Sequence, residues 1–216
     1  MKPLLLIDVD GVISLFGFDH AAPPQGGRFM LVDGIAHFLS GTAGGHLRRL
    51  ETAFELAWCT GWEEKANDYL PLALGLDGPL PHVVFDPADR PADAHWKLGA
   101  IDLHVEPSRP VAWIDDAHDA RCREWATARP GPTLLVTTDP AVGLTELDVE
   151  RLLAWAADLP RAAKAPPSGA ADHPTKAPPS GAADHSTKAP PSGAADHPTK
   201  APPSGAADHS TTTRSP

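Results

Sequence analysis

Five short runs of apolar residues punctuate the first 140 positions of the chain: Leu4–Asp8, Glu55–Thr60, His82–Asp86, Val111–Asp115 and Thr133–Thr137. Each is about five residues long and none alternates strictly between apolar and polar. That is the signature of strands buried on both faces, and so of a parallel sheet covered by helices. Helical stretches fall between and after the runs, over Gly44–Ala53, Trp62–Leu74, Asp93–Val105, Ala117–Ala128 and Thr145–Ala157. The last carries its own start signal: Thr145 stands at the cap, Asp148 at the third helical position, and Leu144 and Val149 at staple spacing. Pro71 is expected to end or kink the second stretch. The alternation predicts an α/β fold, a Rossmann-like doubly wound parallel sheet of about five strands.

One segment breaks the alternation. Some thirty residues, Gly11 to Thr42, separate the first strand from the first helix and include the Gly- and Pro-rich AAPPQGGR. Ser14–Phe18 and Arg28–Val32 flank that stretch and are expected to pair as a β-hairpin flap over the end of the first strand. The insertion is too short for a separate cap domain, and a connection this long is more often functional than accidental.

The pattern stops near residue 160. From Lys164 onward KAPPSGAADHPT and KAPPSGAADHST alternate in four twelve-residue units, and the last 53 residues hold no Val, Ile, Leu, Met, Phe, Trp or Tyr. Without apolar side chains nothing offsets the roughly 1–2 kcal/mol per residue that ordering costs. The reading is a folded domain over 1–160 and a disordered Pro/Ala-rich tail over 161–216. A solenoid is excluded because no unit has an apolar face to stack. One His per unit is available to a transition metal, but nothing preorganises the four, and a spacer is the simpler reading.

Charge divides at the same place. The repeats balance their own Lys and Asp and Arg214 adds one positive charge, so the chain's net charge of -10 means -11 over residues 1–163, where 24 acidic side chains stand against 13 basic ones. Strong nonspecific binding to nucleic acid, which needs clustered Lys and Arg, is not expected. Only two cysteines, Cys59 and Cys122, are present, too few for a disulfide framework, and they point to a reduced, cytoplasmic setting. Only four apolar residues precede the first acid, so no signal peptide core is read there. No run approaches the roughly 18 residues of a membrane span.

Candidate chemistry collects at the ends of the apolar runs, where ligands of open α/β sheets bind. The first ends in Asp8-Val9-Asp10-Gly11, two acids spaced to face one centre before a turn; alone, this reads equally well as a turn cap. The fourth ends in Asp115-Asp116. Adjacent carboxylates repel unless a cation lies between them, and acids from two strand ends would make a hard oxygen site suited to Mg²⁺. Asp119, one turn on, reads as the start of the following helix. Thr60 closes the second run with a hydroxyl, and Lys97 precedes the Asp115 strand with an ammonium; each is weak evidence alone. Gly11, Gly61, Trp62 and His95 are candidate substrate-binding residues, with Trp96 and Arg28 beside them. Trp62 and Trp96 fit the core equally well.

In this order, DVDGV, a strand-end Thr, a Lys and a strand-end DD resemble the haloacid dehalogenase superfamily of phosphohydrolases over roughly residues 3–157. ELAWCTGWEEKAN, HWK and WIDD are similar to the small haloacid-dehalogenase-like domain of RNA repair proteins. The resemblance implies Asp8 as the nucleophile that forms an aspartyl-phosphate and Asp10 as general acid, then base. It further implies Thr60 and Lys97 as ligands of the phosphoryl group, and Asp8, the Asp10 carbonyl, Asp115 and Asp116 as the Mg²⁺ ligands. An acid at position 10 favours phosphate esters over halides, because an alkoxide needs a proton and a halide does not. The expected substrate is a phosphomonoester of a small molecule or of a nucleic-acid end. The competing class is a non-catalytic module of the same fold acting through a partner or ligand. Deleting residues 164–216 is expected to leave the melting temperature and any turnover nearly unchanged, since those residues bring no core; thermal denaturation of the two lengths side by side checks this.

Overall fold

The computed structural model describes residues 1–85 and 95–160. The expected tail with its four repeats, the start of the helix at Asp93 and the end of the third run at Asp86 lie outside the described residues.

The Leu4–Ile7 strand (β1) is built entirely of large aliphatics, and all four are buried. It pairs in parallel with Glu55–Trp58 (β5) on one side and Val111–Asp115 (β6) on the other, and Thr133–Thr137 (β7) extends the sheet beyond β6, giving the order β5-β1-β6-β7. The missing alternation in the sequence is explained by the two cores. Leu5 and Ile7 pack with Leu47, Leu50, Leu70, Val149 and Leu152, from Ala43–Glu51 (α1), Ala66–Leu74 (α2) and Glu146–Asp158 (α5). Leu4 and Leu6 pack with Ala100, Ile101 and Cys122, from Leu98–His104 (α3) and Ala120–Ala128 (α4). Each buried Leu, Ile or Val among them stabilises the fold by about 2 kcal/mol of transfer free energy. Cys59 and Cys122 are both free and buried.

Pairing differs from expectation at the insertion. Arg28–Val32 (β3) pairs with Ile35–Leu39 (β4), not with Ser14–Phe18; of the latter only Ser14–Leu15 (β2) is strand, on the other edge of β4. The turn decides this. Asp33 and Gly34 take φ of 50° and 82°, the left-handed pair of a two-residue hairpin turn, for which Asp-Gly is a preferred sequence. The third run also falls short. Pro81 to Val83 form a single parallel bridge from His82 to Trp58 rather than a strand, so among the described residues the parallel sheet has four strands. Pro81 stands just before this run and lacks the N–H donor that a ladder would use there.

Helix signals hold better. Thr145 and Asp148 form a reciprocal capping box, with Leu144 and Val149 buried beside it. The second helix continues past Pro71 to Leu74 after a 3₁₀ turn at Glu63–Lys65 and closes on left-handed Gly75, where the Leu76 N–H reaches the Pro71 carbonyl. Asp119 caps α4 by accepting the Cys122 N–H at 3.0 Å. No helix among the described residues is long and apolar enough to cross a membrane. Removing the α5 cap with Thr145→Ala is expected to cost about 1 kcal/mol, read as a lower denaturation midpoint with an unchanged slope.

Candidate functional site

Parallel pairing brings the carboxyl ends of β5, β1, β6 and β7 to one edge of the sheet, and the acids, the threonine and the lysine meet there. Lys97, just before α3, is 3% exposed, and its Nζ lies 2.7 Å from Asp8 Oδ2 and 2.7 Å from Asp115 Oδ2. One buried ammonium thus holds the ends of two adjacent strands. The other oxygens are also engaged: Asp8 Oδ1 accepts the Val9 N–H at 2.8 Å, and Asp115 Oδ1 accepts the Ala117 N–H at 2.9 Å with His95 Nε2 at 3.5 Å. Asp8, Asp10, Thr60, Gly61, His95, Trp96, Lys97, Asp115 and Ala117 line one cavity of about 220 Å³.

Two buried carboxylates sharing one ammonium cannot be equivalent. Burial pushes the Asp8 carboxyl up to about 6, Asp115 adds to this, and Lys97 opposes it. Burial acts the same way on Asp115, but there the hydrogen bonds of His95, Lys97 and Ala117 win and hold it well below the usual carboxylate range. For Lys97, the charges of Asp8 and Asp115 outweigh the effect of burial and keep the amine protonated. Asp116 is half-buried and raised, first by burial and then by Asp115.

Ligand oxygens of Asp8, Asp115 and Asp116 all lie within 4.8 Å of one another. Three carboxylates against one ammonium leave negative charge that a hard divalent cation would offset, and the donor set is of the type such ions take. The Asp10 side chain is not in this group. It turns toward the flap, where Oδ2 accepts the Trp62 indole N–H at 2.9 Å and Oδ1 lies 3.6 Å from His37 Nδ1. Gly11 sits behind Asp116 rather than in the cavity wall. With φ of 72°, it leaves room where a Cβ would lie 2.5 Å from the Asp116 carboxyl carbon. The Thr138 hydroxyl, donating to the Gly11 carbonyl at 2.8 Å, ties this turn to the end of β7. Arg28 is also away from the cavity, donating to the Ala73 carbonyl.

No family model and no curated protein matches the chain. Among solved structures, a hypothetical protein of Xanthomonas campestris is similar at 15% identity, covering 72% of this chain and 82% of that one, with a TM-score of 0.38. No functional reading follows from that likeness.

Three side chains that the sequence reading did not weigh belong to this edge. His37, on β4, sits 3.0 Å from Ser14 Oγ and edge-on to Trp62. The Asp-Gly turn that places it was the available signal. His118 and Trp113 pack with His95 below the cavity, and burial pushes the His118 imidazole down to about 4. A lone His two positions after a carboxylate pair carries no such signal.

A pH test follows from the position of Asp8. Because its folded-state value lies above its unfolded one, the folded protein binds a proton between about pH 4 and 6 that the unfolded chain releases, so this group's contribution to stability falls as pH rises through that window. In metal-free buffer at pH 8, Asp8→Asn is expected to melt at or above the wild-type temperature, with the gap closing toward pH 4; thermal melts across that range check it.

Proposed function

We propose that the chain is a Mg²⁺-dependent phosphatase of the haloacid dehalogenase type, hydrolysing a phosphomonoester through an aspartyl-phosphate on Asp8. Its parallel sheet, extended by the Pro81–Val83 bridge, is read as the Rossmann-like core of such an enzyme, with the insertion as its flap. The observation that carries the proposal is the Lys97 ammonium at 2.7 Å from both Asp8 and Asp115, on the wall of a cavity that also holds Asp10 and Thr60.

The chemistry is as follows. One carboxylate oxygen of Asp8 attacks phosphorus, and the P–O bond to the alcohol breaks as Asp10 delivers its proton to the departing oxygen. Asp10, now a carboxylate, takes a proton from water. That water attacks the same phosphorus, releasing inorganic phosphate and restoring Asp8. Lys97 and the Thr60 hydroxyl offset charge on the transferring phosphoryl group. Asp8, Asp115 and Asp116, with the Asp10 carbonyl, would hold Mg²⁺, which when bound neutralises phosphate oxygens so that one anion can approach another. The indole N–H of Trp62 donates to Asp10 Oδ2 and fixes that carboxyl where the cavity meets the hairpin.

The test is hydrolysis of an aryl phosphate with and without Mg²⁺, by wild type and by Asp8→Asn. Expected are loss of activity on chelation, its return with Mg²⁺, and a drop of about a thousandfold or more in Asp8→Asn. Activity that survives both treatments refutes the mechanism.

A further inference from the structure

A second cavity, of about 320 Å³, opens beside the first beneath the β3–β4 hairpin, lined by Asp10, Val32, Asp33, Ile35, His37, Gly61, Trp62 and Lys65. It shares Asp10 and Gly61 with the phosphate-sized cavity, so the two meet at the proposed general acid. This inference rests on the phosphatase reading. If the phosphoryl group sits in the first cavity, against Asp8 and Lys97, the leaving oxygen must come within hydrogen-bond reach of Asp10, and the rest of the alcohol then extends past Asp10 under the hairpin.

We infer that this second cavity is the leaving-group subsite and that it takes an uncharged, ring-bearing alcohol: a nucleoside or a sugar rather than a polyanion. Its apolar wall is Val32 and Ile35 from the two strands of the hairpin, with the Trp62 indole beside them, a surface against which a flat ring buries area. Its polar groups accept or share hydrogen bonds at the rim, as hydroxyls require: Asp10, His37 and Asp33. Its ammonium, Lys65, is ion-paired with Asp33, which also accepts the Tyr69 hydroxyl at 3.0 Å. A second phosphate entering here would meet the Asp33 carboxylate, and the ammonium beside it is already paired with that acid, so chains carrying further phosphates are disfavoured.

The test compares kcat/KM, in Mg²⁺, for a nucleoside monophosphate, a hexose phosphate, glycerol phosphate, a 5′-phosphorylated oligonucleotide and acetyl phosphate. At least one ring-bearing monoester is expected to exceed glycerol phosphate and the oligonucleotide by about tenfold, the factor that a modest stacked contact supplies. Which of the two rings leads identifies the source. Ile35→Glu, a change at an exposed rim position, is expected to lower the ratio of ring-bearing ester to acetyl phosphate by about tenfold; using the ratio cancels any general loss of folded enzyme. Equal rates for glycerol phosphate and the ring esters, or a preference for the oligonucleotide, overturn the inference. Should no substrate, acetyl phosphate included, show hydrolysis dependent on Mg²⁺ and Asp8, the phosphatase reading is what fails. The subsite is then decided by adding free adenosine or glucose and following the Trp62 indole N–H resonance, assigned with Trp62→Phe: a saturable shift that Ile35→Glu weakens supports it, and no shift overturns it.

Discussion

A single buried ammonium holding two carboxylates organises this molecule. Lys97 comes from the start of a short helix, while Asp8 and Asp115 come from neighbouring strands that the hydrophobic effect has already set side by side. Removing three charges from water is expensive, and their attraction repays it only where further hydrogen bonds reach the carboxylate oxygens. Asp115 has the larger share of those partners and holds its charge easily. Asp8 has the smaller share and is left partly unsatisfied. In the mechanism proposed above, that inequality suits a division of labour in which one acid stays a fixed anion and the other reacts.

The hairpin belongs to the same arrangement. Its tight turn puts Val32 and Ile35 opposite one another and brings His37 over the Trp62 ring, so the groups around Asp10 come from an element outside the parallel sheet. The two aspartates of one DVD segment therefore have different surroundings. Asp8 faces a dry ammonium, while Asp10 faces an indole, an imidazole and open space.

Much of the fold was legible because its strongest signals are short-range. The apolar runs over 4–8, 111–115 and 133–137, and the Thr145 cap, need only local sequence and burial on both faces to be read. The run at 82–86 was read as a full strand, and its described part makes a single bridge, because apolar content says nothing about the donor missing at Pro81. The hairpin partner was misassigned because two apolar stretches were matched by position while the Asp33-Gly34 turn between β3 and β4 was passed over. In the site, Asp8, Thr60 and Asp115 could be listed from strand ends and Lys97 from the helix before the Asp115 strand, yet the local pattern does not show that the Asp8 and Asp115 carboxyls are shifted in opposite directions. That distinction comes from Ala117 and His95, a backbone amide and an imidazole whose aim only the folded chain fixes.

The two thiols have a practical consequence. Cys59 lies immediately beyond the end of β5 and Cys122 in α4, each without solvent contact, and burial pushes the first far up and the second to about 11. Neither forms the anion that alkylating reagents attack while the chain stays folded. A reagent such as iodoacetamide would therefore react with the native protein only as often as its interior opens, so the labelling rate becomes a clock for that opening. A cysteine placed on the exterior by mutation could then carry a probe without competition from the native pair.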